Sequence, residues 1–495
     1  MTAEGSRSND LLKAPAPMTA EGSAPRTPSR PARSSVVGLL VAWMVSGLAG
    51  CGGFSGVPGA NLVLITVDTL RADHLGAYGD TRTETPAFDA LAAEGLVFEK
   101  ARTAAPITTP ALGTLLTGRL PRNHSAINNG YDLDGYDPTL AQRLSQDGYR
   151  TAGFLPMFIA DKPNFKAGFD AYSCPPVGRP AVPTETLVQL ASEWIRETQE
   201  EGDGPWFLWL HALEPHSTYA PPRDLRERAL PPGTPREVWE PLSKRRFEDG
   251  VRLDADELEV ERALYRAEVE AVDRALEPLL ARALEPADGA RPQVTILTAD
   301  HGELLYEHEN YVGHTTWLYE PMLRIPLILH FSDGRFAGQR SPTPAFGTDL
   351  LPTAGRALGF EYQSLDRGRD LFRFLDDESL RLMVSETFAP EGRVDQQAVV
   401  LGDLKLHRAV TGPGSDLHPP YPRLFALDGD PGESRDLATE SQDQVEQLER
   451  LYSIWLRRQR DLVTIPRSGA VDPELRAQLE ALGYMQGPPG QAEDR

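Results

Sequence analysis

Residues 61–76 read NLVLITVDTLRADHLG, a short apolar run that stops at an aspartate. The run is rich in leucine, valine and isoleucine, which predicts a buried strand over 61–67 with Asp68 at its carboxyl end. Helical patterns alternate with such runs, for example over 257–285, so we expect an α/β fold with a mostly parallel sheet and helices on both faces. The other predicted strands of this sheet are Arg150–Leu155, Trp206–Leu210, Val294–Thr298 and Pro326–His330.

The composition is that of a large acidic globular protein. Of the 495 residues, 40% are apolar, which is enough for a substantial core. The chain has 50 lysines and arginines against 72 aspartates and glutamates, and the net charge of −22 excludes a nucleic-acid binder that works through a basic face. Two cysteines exclude a disulfide framework and a thiolate zinc cluster. These observations favour an enzyme.

The first 50 residues are expected to be an export signal with a disordered N-terminal extension. The string MTAEGS occurs at Met1 and again at Met18, and either methionine can be the true start. Residues 1–33 are poor in large apolar side chains, which predicts disorder. Arginines then precede the apolar run Val36–Leu48, a pattern typical of a secretory signal and short for a bilayer span.

Residues 48–51 read LAGC, which resembles the lipobox of bacterial lipoproteins. This resemblance implies that the signal ends at residue 50, that Cys51 carries lipid and that residues 51–60 form a tether. The protein is then exported and anchored through its N-terminal lipid to the membrane of the bacterial cell envelope, at the periplasmic or outer-membrane face. An uncleaved membrane anchor is the alternative interpretation.

The chain beyond the tether is predicted to contain two folded parts. The larger part, over 61–385, holds the main sheet, and a small C-terminal α+β subdomain over 386–465 has short strands and a late helix. Residues 466–495 are expected to be a tail. In the larger part, residues 223–256 are charged and contain prolines, which indicates a surface insertion, and Pro278 is expected to kink or divide the helix over 257–285.

Polar residues follow three of the predicted strands. Asp68 ends the first strand, Glu214 and His216 follow the strand over 206–210, and Asp300 and His301 follow the strand over 294–298. Ligands bind beyond the carboxyl ends of the strands in open α/β sheets, so we expect these residues to share a site. Any one of them alone has a structural explanation, such as a helix cap.

Asp68, Asp300 and His301 together predict a site for one divalent metal ion. Carboxylate oxygens with an imidazole nitrogen suit Zn²⁺ or Mn²⁺, and Ca²⁺ remains possible but fits the nitrogen less well.

A further ligand is offered by Thr108, because Thr108-Thr109-Pro110 reads as the cap and first turn of a helix whose N-terminus favours an anion. A hydroxyl group held by a metal ion there is also a candidate nucleophile. The alternative is that Thr108 only caps the helix.

Four segments together resemble the sulfatase family of the alkaline phosphatase superfamily. They are residues 61–76, the stretch TTPALGTLLTG at 108–118, TADHGE at 298–303, and the segment that begins at Leu318. The resemblance implies an alkaline-phosphatase-like sandwich with a large, mostly parallel central sheet flanked by helices and a small C-terminal α+β subdomain. It also implies that Asp68, Thr108, Asp300 and His301 hold the metal ion.

The departures from the family pattern concern the nucleophile. Sulfatases carry a cysteine or serine that is oxidised to formylglycine, but here the aligned residue is Thr108, and Leu112 stands in place of the arginine of that signature. Thr69 replaces the second aspartate. These features resemble the threonine-dependent branch of the superfamily, which implies that Thr108 is the nucleophile and that His216 and His314 are catalytic.

Further roles belong to the same mechanistic hypothesis. Asn128 or Asn129 is predicted to bind an oxygen of the substrate. Glu214 is either an additional contact or ligand near the metal, or a structural residue in a salt bridge.

The predicted reaction is hydrolysis of a phosphate or sulfate ester, with the phosphoester favoured. A formylglycine hydrate can expel sulfate by collapsing to the aldehyde, whereas a sulfated threonine would need water to attack sulfur directly. The substrate is expected to be a small-molecule, glycan or lipid ester. Two alternatives stay open: an inactive sulfatase-like lipoprotein that binds anionic glycans or lipids, and a phospho-group transferase. The sequence carries no indication of the oligomeric state.

Overall fold

The computed structural model describes residues 54–231, 234–235, 253–286, 289–308, 311–366, 368–388, 394–409 and 421–459. The predictions for residues 1–50, for Cys51 and for the tail over 466–495 concern residues outside these ranges. The same is true of most of the predicted insertion over 223–256, of which the structure describes a short helix and the segment from Leu253.

Eight of the described strands form one mixed sheet in the order β10-β2-β9-β6-β1-β5-β3-β4, which confirms the predicted α/β fold. Every neighbouring pair is parallel except the two pairs that involve β9. The strands are β1 (Asn61–Val67), β2 (Gly95–Arg102), β3 (Arg150–Phe154), β4 (Ala171–Ser173), β5 (Trp206–Ala212), β6 (Gln293–Ala299), β7 (Leu304–Leu305), β8 (Val312–Gly313), β9 (Leu327–Phe331), β10 (Gln339–Phe346), β11 (Leu382–Phe388), β12 (Val394–Leu401), β13 (Leu404–Ala409) and β14 (Arg423–Ala426).

Helices flank this sheet. They are α1 (Pro86–Ala93), α2 (Thr108–Thr117), α3 (Pro121–His124), α4 (Leu140–Gln146), α5 (Pro163–Lys166), α6 (Thr184–Glu201), α7 (Arg223–Ala229), α8 (Ala255–Leu284), α9 (Glu320–Leu323), α10 (Leu350–Ala357) and α11 (Gln442–Gln459). On one side α1, α6 and α7 pack against α8, and elsewhere α2 packs with α4 and α10. None of the helices in the described ranges has both the length and the apolar character needed to cross a bilayer.

The long helix α8 runs through Pro278 without dividing, so of the two predicted effects of this proline the division does not occur. A proline removes one backbone hydrogen bond and crowds the carbonyl group four residues earlier, here that of Arg274. Both residues lie on the exposed side of the helix, where water can reach that carbonyl group. The helix begins with a capping box between Asp254 and Glu257, so its start is well fixed.

The C-terminal part of the chain forms an antiparallel sheet, β11-β12-β13-β14, against which α11 packs through Leu448 and Tyr452. The sheet starts at Leu382, slightly before the predicted boundary at residue 386. A buried ionic network joins this sheet to the main one. Lys405 on β13 lies 3.0 Å from Glu320, which also pairs with Arg102 at the end of β2.

The register of the three central strands defines where a site can form. Val67 on β1 is level with Ala212 on β5 and with Ala299 on β6. All three strands are buried along their whole length. The residues that follow these strands therefore leave the sheet at one level and on one edge, as the sequence predicts.

Candidate active site

The two aspartates of the predicted metal site lie next to each other at the sheet edge. Asp68 follows β1 and Asp300 follows β6, and both side chains are fully buried. Thr69, directly after Asp68, has a positive φ of 54°. This conformation is unfavourable for a threonine, but it lets the backbone N–H of Thr69 donate to Oδ1 of Asp300 at 3.3 Å. Tyr265 donates to the carbonyl oxygen of Thr69 at 2.7 Å and so supports the turn.

His301 is oriented toward the carboxylates by its own backbone surroundings. Its Nδ1 donates to the carbonyl oxygen of Gly302 at 2.9 Å, which leaves Nε2 as the unprotonated nitrogen. Nε2 lies 3.4 Å from Oδ2 of Asp300 and 3.8 Å from Oδ1 of Asp68. A ring held in this way presents a lone pair to the space between the two aspartates.

Thr108 is the first residue of α2, and the structure brings its hydroxyl group to the same place. Oγ1 of Thr108 lies 3.3 Å from Nε2 of His301, and the side chain is fully buried. The helix start is fixed by Asn129, whose Oδ1 accepts a hydrogen bond from the backbone N–H of Thr109 at 2.9 Å. Asn128 in turn accepts one from the backbone of Asn129 at 2.8 Å. Their contact with a substrate oxygen stays a prediction.

His211 on β5 also lies beside Asp68, and the sequence pattern does not indicate it as a site residue. Its Nε2 is 3.8 Å from Oδ2 of Asp68, and donor atoms of Asp68, His211 and Asp300 lie within 4.8 Å of one another. The residue was missed because β5 reads WFLWLHA and is buried throughout, so a histidine in it suggests a core position. The register carried a signal: His211 is level with Thr66, and Asp68 lies two residues further on the same face of the sheet.

The donor atoms at this point fit a divalent metal ion. Oδ2 of Asp300 and Nε2 of His211 are buried and have no hydrogen-bond partner within the described ranges. Burial and the negative charge of Asp68 raise the pKa of Asp300 to about 6. Burial also opposes ionisation of Asp68, but His216, His211 and His301 outweigh it and hold the pKa of Asp68 below its usual value. Two buried carboxylates with imidazole nitrogens are a suitable ligand set for Zn²⁺ or Mn²⁺.

His216 and His314 lie beside this group, and their catalytic role stays a prediction. The ring of His314 is 4.6 Å from that of His301 and 4.9 Å from that of His216, measured between centroids. Burial lowers the pKa of His216 to about 4, and it also lowers the pKa of His314, against the effect of its hydrogen bond to Glu303. Both rings are therefore neutral at pH 7 before an anionic substrate enters.

Glu214 lies apart from the candidate metal ligands, and its role as an additional contact near the metal stays a prediction. It is not part of the cluster of candidate metal ligands, and no ion pair forms on it within the described part of the chain. Instead its carboxylate accepts a hydrogen bond from the hydroxyl group of Thr184 and faces a cavity that His216 also lines.

Comparison with known proteins gives the family context of this site. A family model described as Sulfatase matches residues 60–360. An arylsulfatase of Clostridium perfringens is 41% identical over 95 residues, which are 18% of this chain and 19% of the relative, so the chain spans about a fifth of that relative's length. A longer match, 27% identical over 403 residues, joins 64% of this chain to 77% of the multifunctional alkaline phosphatase superfamily protein PehA of Trinickia caryophylli.

Among solved structures, the phosphonate monoester hydrolase of Agrobacterium radiobacter superposes with a TM-score of 0.62. The match covers 81% of this chain and 96% of that chain at 21% sequence identity. Identity this low establishes a common fold and leaves the chemistry to be argued from the site.

Proposed function

The chain belongs to the sulfatase family, a family of sulfuric and phosphoric ester hydrolases, and from this premise we propose that it is a metal-dependent hydrolase with Thr108 as its nucleophile. The proposal rests on one observation above all. The hydroxyl group of Thr108, at the start of α2, lies 3.3 Å from His301 beside two buried aspartates. A threonine that only capped its helix would have no need of this position.

Asp68, Asp300, His301 and Thr108 would hold the metal ion, and His211 is a candidate for the same role. When bound, a divalent cation lowers the pKa of a hydroxyl group that it touches and withdraws charge from the ester oxygens. The start of α2 adds partial positive charge at the same point, because the first backbone N–H groups of a helix point out of its N-terminus and have no acceptor within the helix. Thr108 is thereby positioned to attack the reacting phosphorus or sulfur atom.

The reaction takes two steps in this proposal. Thr108 gives its hydroxyl proton to His216 or His314, and its Oγ1 forms a bond to phosphorus while the bond from phosphorus to the leaving oxygen breaks. The same histidine passes the proton to that leaving oxygen. Water then attacks the phosphorus atom while the bond to Thr108 breaks, and the same histidine takes a proton from the water and returns it to Oγ1 of Thr108. Free acid and free alcohol are the products.

We propose a monoanionic phosphorus ester as the substrate, meaning a phosphodiester or a phosphonate monoester. Phosphorus is preferred over sulfur because a secondary alcohol cannot form formylglycine, so the second step requires water to attack the central atom. The charge of the site supports a monoanion. One divalent cation balances the carboxylates of Asp68 and Asp300, and the buried carboxylate of Glu303 beside them adds further negative charge. A dianionic phosphate monoester would add more negative charge to this site than a diester.

A substrate panel tests the proposal. The metal-loaded protein is assayed with bis(p-nitrophenyl) phosphate, p-nitrophenyl phenylphosphonate, p-nitrophenyl phosphate and p-nitrophenyl sulfate. We expect the first two to give the highest kcat/KM, and Thr108→Ala to lower kcat/KM by at least about a thousandfold. Thr117→Ala, at the other end of α2, is the matched control and leaves the rate unchanged. Release of sulfate alone, unaffected by Thr108→Ala, would overturn the proposal.

Two further outcomes separate the alternatives. Mass spectrometry of the quenched wild-type protein is expected to find a phosphoryl group on Thr108. Binding of anionic glycans or lipids with no turnover and no tightly bound metal would identify an inactive binding protein. Transfer of the group to an added alcohol in place of water would identify a transferase.

The location of the protein is a separate proposal. The lipobox-like residues 48–51 support export and attachment of lipid at Cys51. Expression in a bacterial host with labelled palmitate tests it: the full-length chain is expected to take up label and to sediment with membranes. Cys51→Ala, which removes the acceptor thiol, is expected to abolish labelling, and equal labelling of both proteins would contradict the proposal.

A further inference from the structure

A cavity of about 350 Å³ lies beside His216 and is not used by the proposed chemistry. Its walls come from the loop after β5, from the start of α6 and from the middle of α8. Part of the lining is apolar, including Leu213 and Val272. The volume is at the lower end of what small-molecule sites occupy, so a group of up to about one sugar ring can enter.

Three carboxylates line the cavity: Glu185 at its exposed side, Glu214, and Glu268 on α8. Glu268 is only 4% exposed. One of its oxygens accepts a hydrogen bond from the backbone N–H of Ala220 at 2.5 Å, and the other oxygen has no hydrogen-bond partner among the described residues. Glu268 is thus a nearly buried polar side chain with one oxygen left for a ligand.

Within the ranges that the structure describes, Glu214 and Glu268 have no positive side chain beside them, whereas Glu185 at the exposed side lies near Arg274. The arginines on the adjacent surface of α7 and α8 are already paired: Arg228 with Glu84 and Glu270, and Arg274 with Asp224. Burial and the nearby charge of Glu214 raise the pKa of Glu268 to about 8. A buried carboxylate without a cation is unfavourable, and a cation entering the cavity would remove that cost.

The position of His216 relates the cavity to the reaction. His216 lines the cavity and also lies against His314, on the side of the predicted metal ligands. A histidine that protonates the leaving oxygen has the leaving group next to it, so the body of the leaving group would extend into this cavity. This step rests on the proposed function.

We propose that the cavity is the leaving-group subsite and that it selects an alcohol carrying an ammonium group. Glu268 and Glu214 would bind the ammonium group, and the apolar wall would contact the carbon chain or ring. Recognition of this kind adds substrate specificity to the site without changing the bonds that form and break.

Two esters of matched size and shape test the proposal. The probes are 2-aminoethyl methylphosphonate and propyl methylphosphonate. Each has one leaving alcohol, and the first carries an ammonium group where the second carries a methyl group. Formation of methylphosphonate is followed by phosphorus NMR. We expect wild type to favour the ammonium ester by about tenfold or more in kcat/KM. Glu268→Gln, which keeps the hydrogen bond from Ala220, is expected to remove most of this preference.

The matched control is Glu277→Gln, an exposed glutamate further along α8, which is expected to keep the wild-type preference. If Glu268→Gln does not fold, Glu214→Gln makes the same comparison. The preference of the wild type needs no variant at all, so equal kcat/KM for the two esters in the wild-type protein overturns the proposal.

Binding to Thr108→Ala separates this proposal from the proposed function. Isothermal titration of that variant with each ester measures affinity without turnover. Tighter binding of the ammonium ester to Thr108→Ala, and weaker binding of it when Glu268→Gln is added, would support the subsite. This support holds even if wild type hydrolyses neither ester, because the absence of hydrolysis would contradict only the proposed function. Equal binding of both esters to Thr108→Ala contradicts the subsite, whether or not wild type is active.

Discussion

His314 donates a hydrogen bond from Nδ1 to Oε1 of Glu303 at 3.1 Å, and both side chains are buried beside the candidate metal ligands. The other carboxylate oxygen of Glu303 accepts a hydrogen bond from the hydroxyl group of Tyr219 at 2.5 Å. Glu303 therefore accepts from two donors at once. This arrangement fixes the protonated nitrogen of His314 and leaves Nε2 to act on the substrate.

We predict that Glu303→Gln lowers kcat by about 10- to 100-fold with little change in KM. An amide has one acceptor and one donor end, so it cannot accept from both His314 and Tyr219. The result is a His314 ring with the wrong tautomer or orientation, while substrate contacts elsewhere stay in place. Steady-state kinetics on the best substrate of the panel, with metal content measured on the same samples, checks the prediction.

The double variant Tyr219→Phe/Glu303→Gln is the control for this interpretation. Removing the hydroxyl group of Tyr219 lets the amide turn its oxygen toward Nδ1 of His314, so part of the lost kcat should return. Tyr219→Phe alone leaves the carboxylate bonded to His314 and should have a small effect. A double variant that is no more active than Glu303→Gln would show that Glu303 does not act by orienting His314.

A second prediction concerns His211. If its Nε2 binds the metal ion together with Asp68 and Asp300, His211→Gln should weaken the affinity for Zn²⁺ by at least about tenfold. Competition with a chelator of known affinity measures this without any assay of activity. His330→Gln is the matched control, because His330 is a buried histidine on β9 of the same sheet and is not among these donors. Equal affinities of wild type and His211→Gln would exclude His211 as a ligand.

The sequence predicts three of the candidate metal ligands at the sheet edge but not His211. Asp68, Asp300 and His301 were found because they directly follow apolar runs, and the ends of parallel strands meet at one edge. His211 lies inside such a run, where its neighbours predict only burial. The pairing of β1 with β5, which puts His211 level with Thr66, is a property of the folded sheet.

The antiparallel direction of β9 is also a property of the folded sheet that the sequence pattern does not reveal. Its residues read as a buried strand, but its direction depends on the path of the chain between β6 and β9, which includes the short hairpin of β7 and β8. Likewise, whether Pro278 breaks α8 depends on whether water reaches the carbonyl group of Arg274, and the sequence pattern does not contain that information.

A third prediction concerns pH and Glu268. The pKa of this group is raised to about 8 in the folded protein by burial and Glu214, whereas an unfolded glutamate titrates at about 4.3. As pH rises between these values, the unfolded state releases the proton first, so the folded state loses stability relative to it. Glu268→Gln removes this loss. The variant should therefore gain stability relative to wild type from pH 5 to pH 8 and show little further gain above pH 8.

Urea unfolding at several pH values measures this difference. Glu277→Gln, exposed on the same helix, should follow the wild type at every pH. A constant difference between Glu268→Gln and wild type from pH 5 to pH 9 would show that Glu268 is not held protonated by its surroundings.

The last prediction concerns the ionic network between the two sheets. Glu320 accepts from Arg102 at 2.8 Å and from Lys405 at 3.0 Å, and Lys405 is completely buried. Glu320→Gln leaves two buried cations with less negative charge and should cost about 3–5 kcal/mol of unfolding free energy at pH 7. Burial opposes ionisation of Glu320, but Arg102 and Lys405 outweigh the effect of burial and hold the pKa of Glu320 below its ordinary value. The stabilisation by the ionised carboxylate is therefore present at neutral pH and is progressively lost as pH falls below about 4. Urea unfolding at pH 7 and at pH 4 should therefore find that Glu320→Gln costs less unfolding free energy at the lower pH.

Glu378→Gln, which changes an exposed glutamate before β11, is the control for this prediction. An equal loss of unfolding free energy in the two variants would contradict a stabilising role of the network.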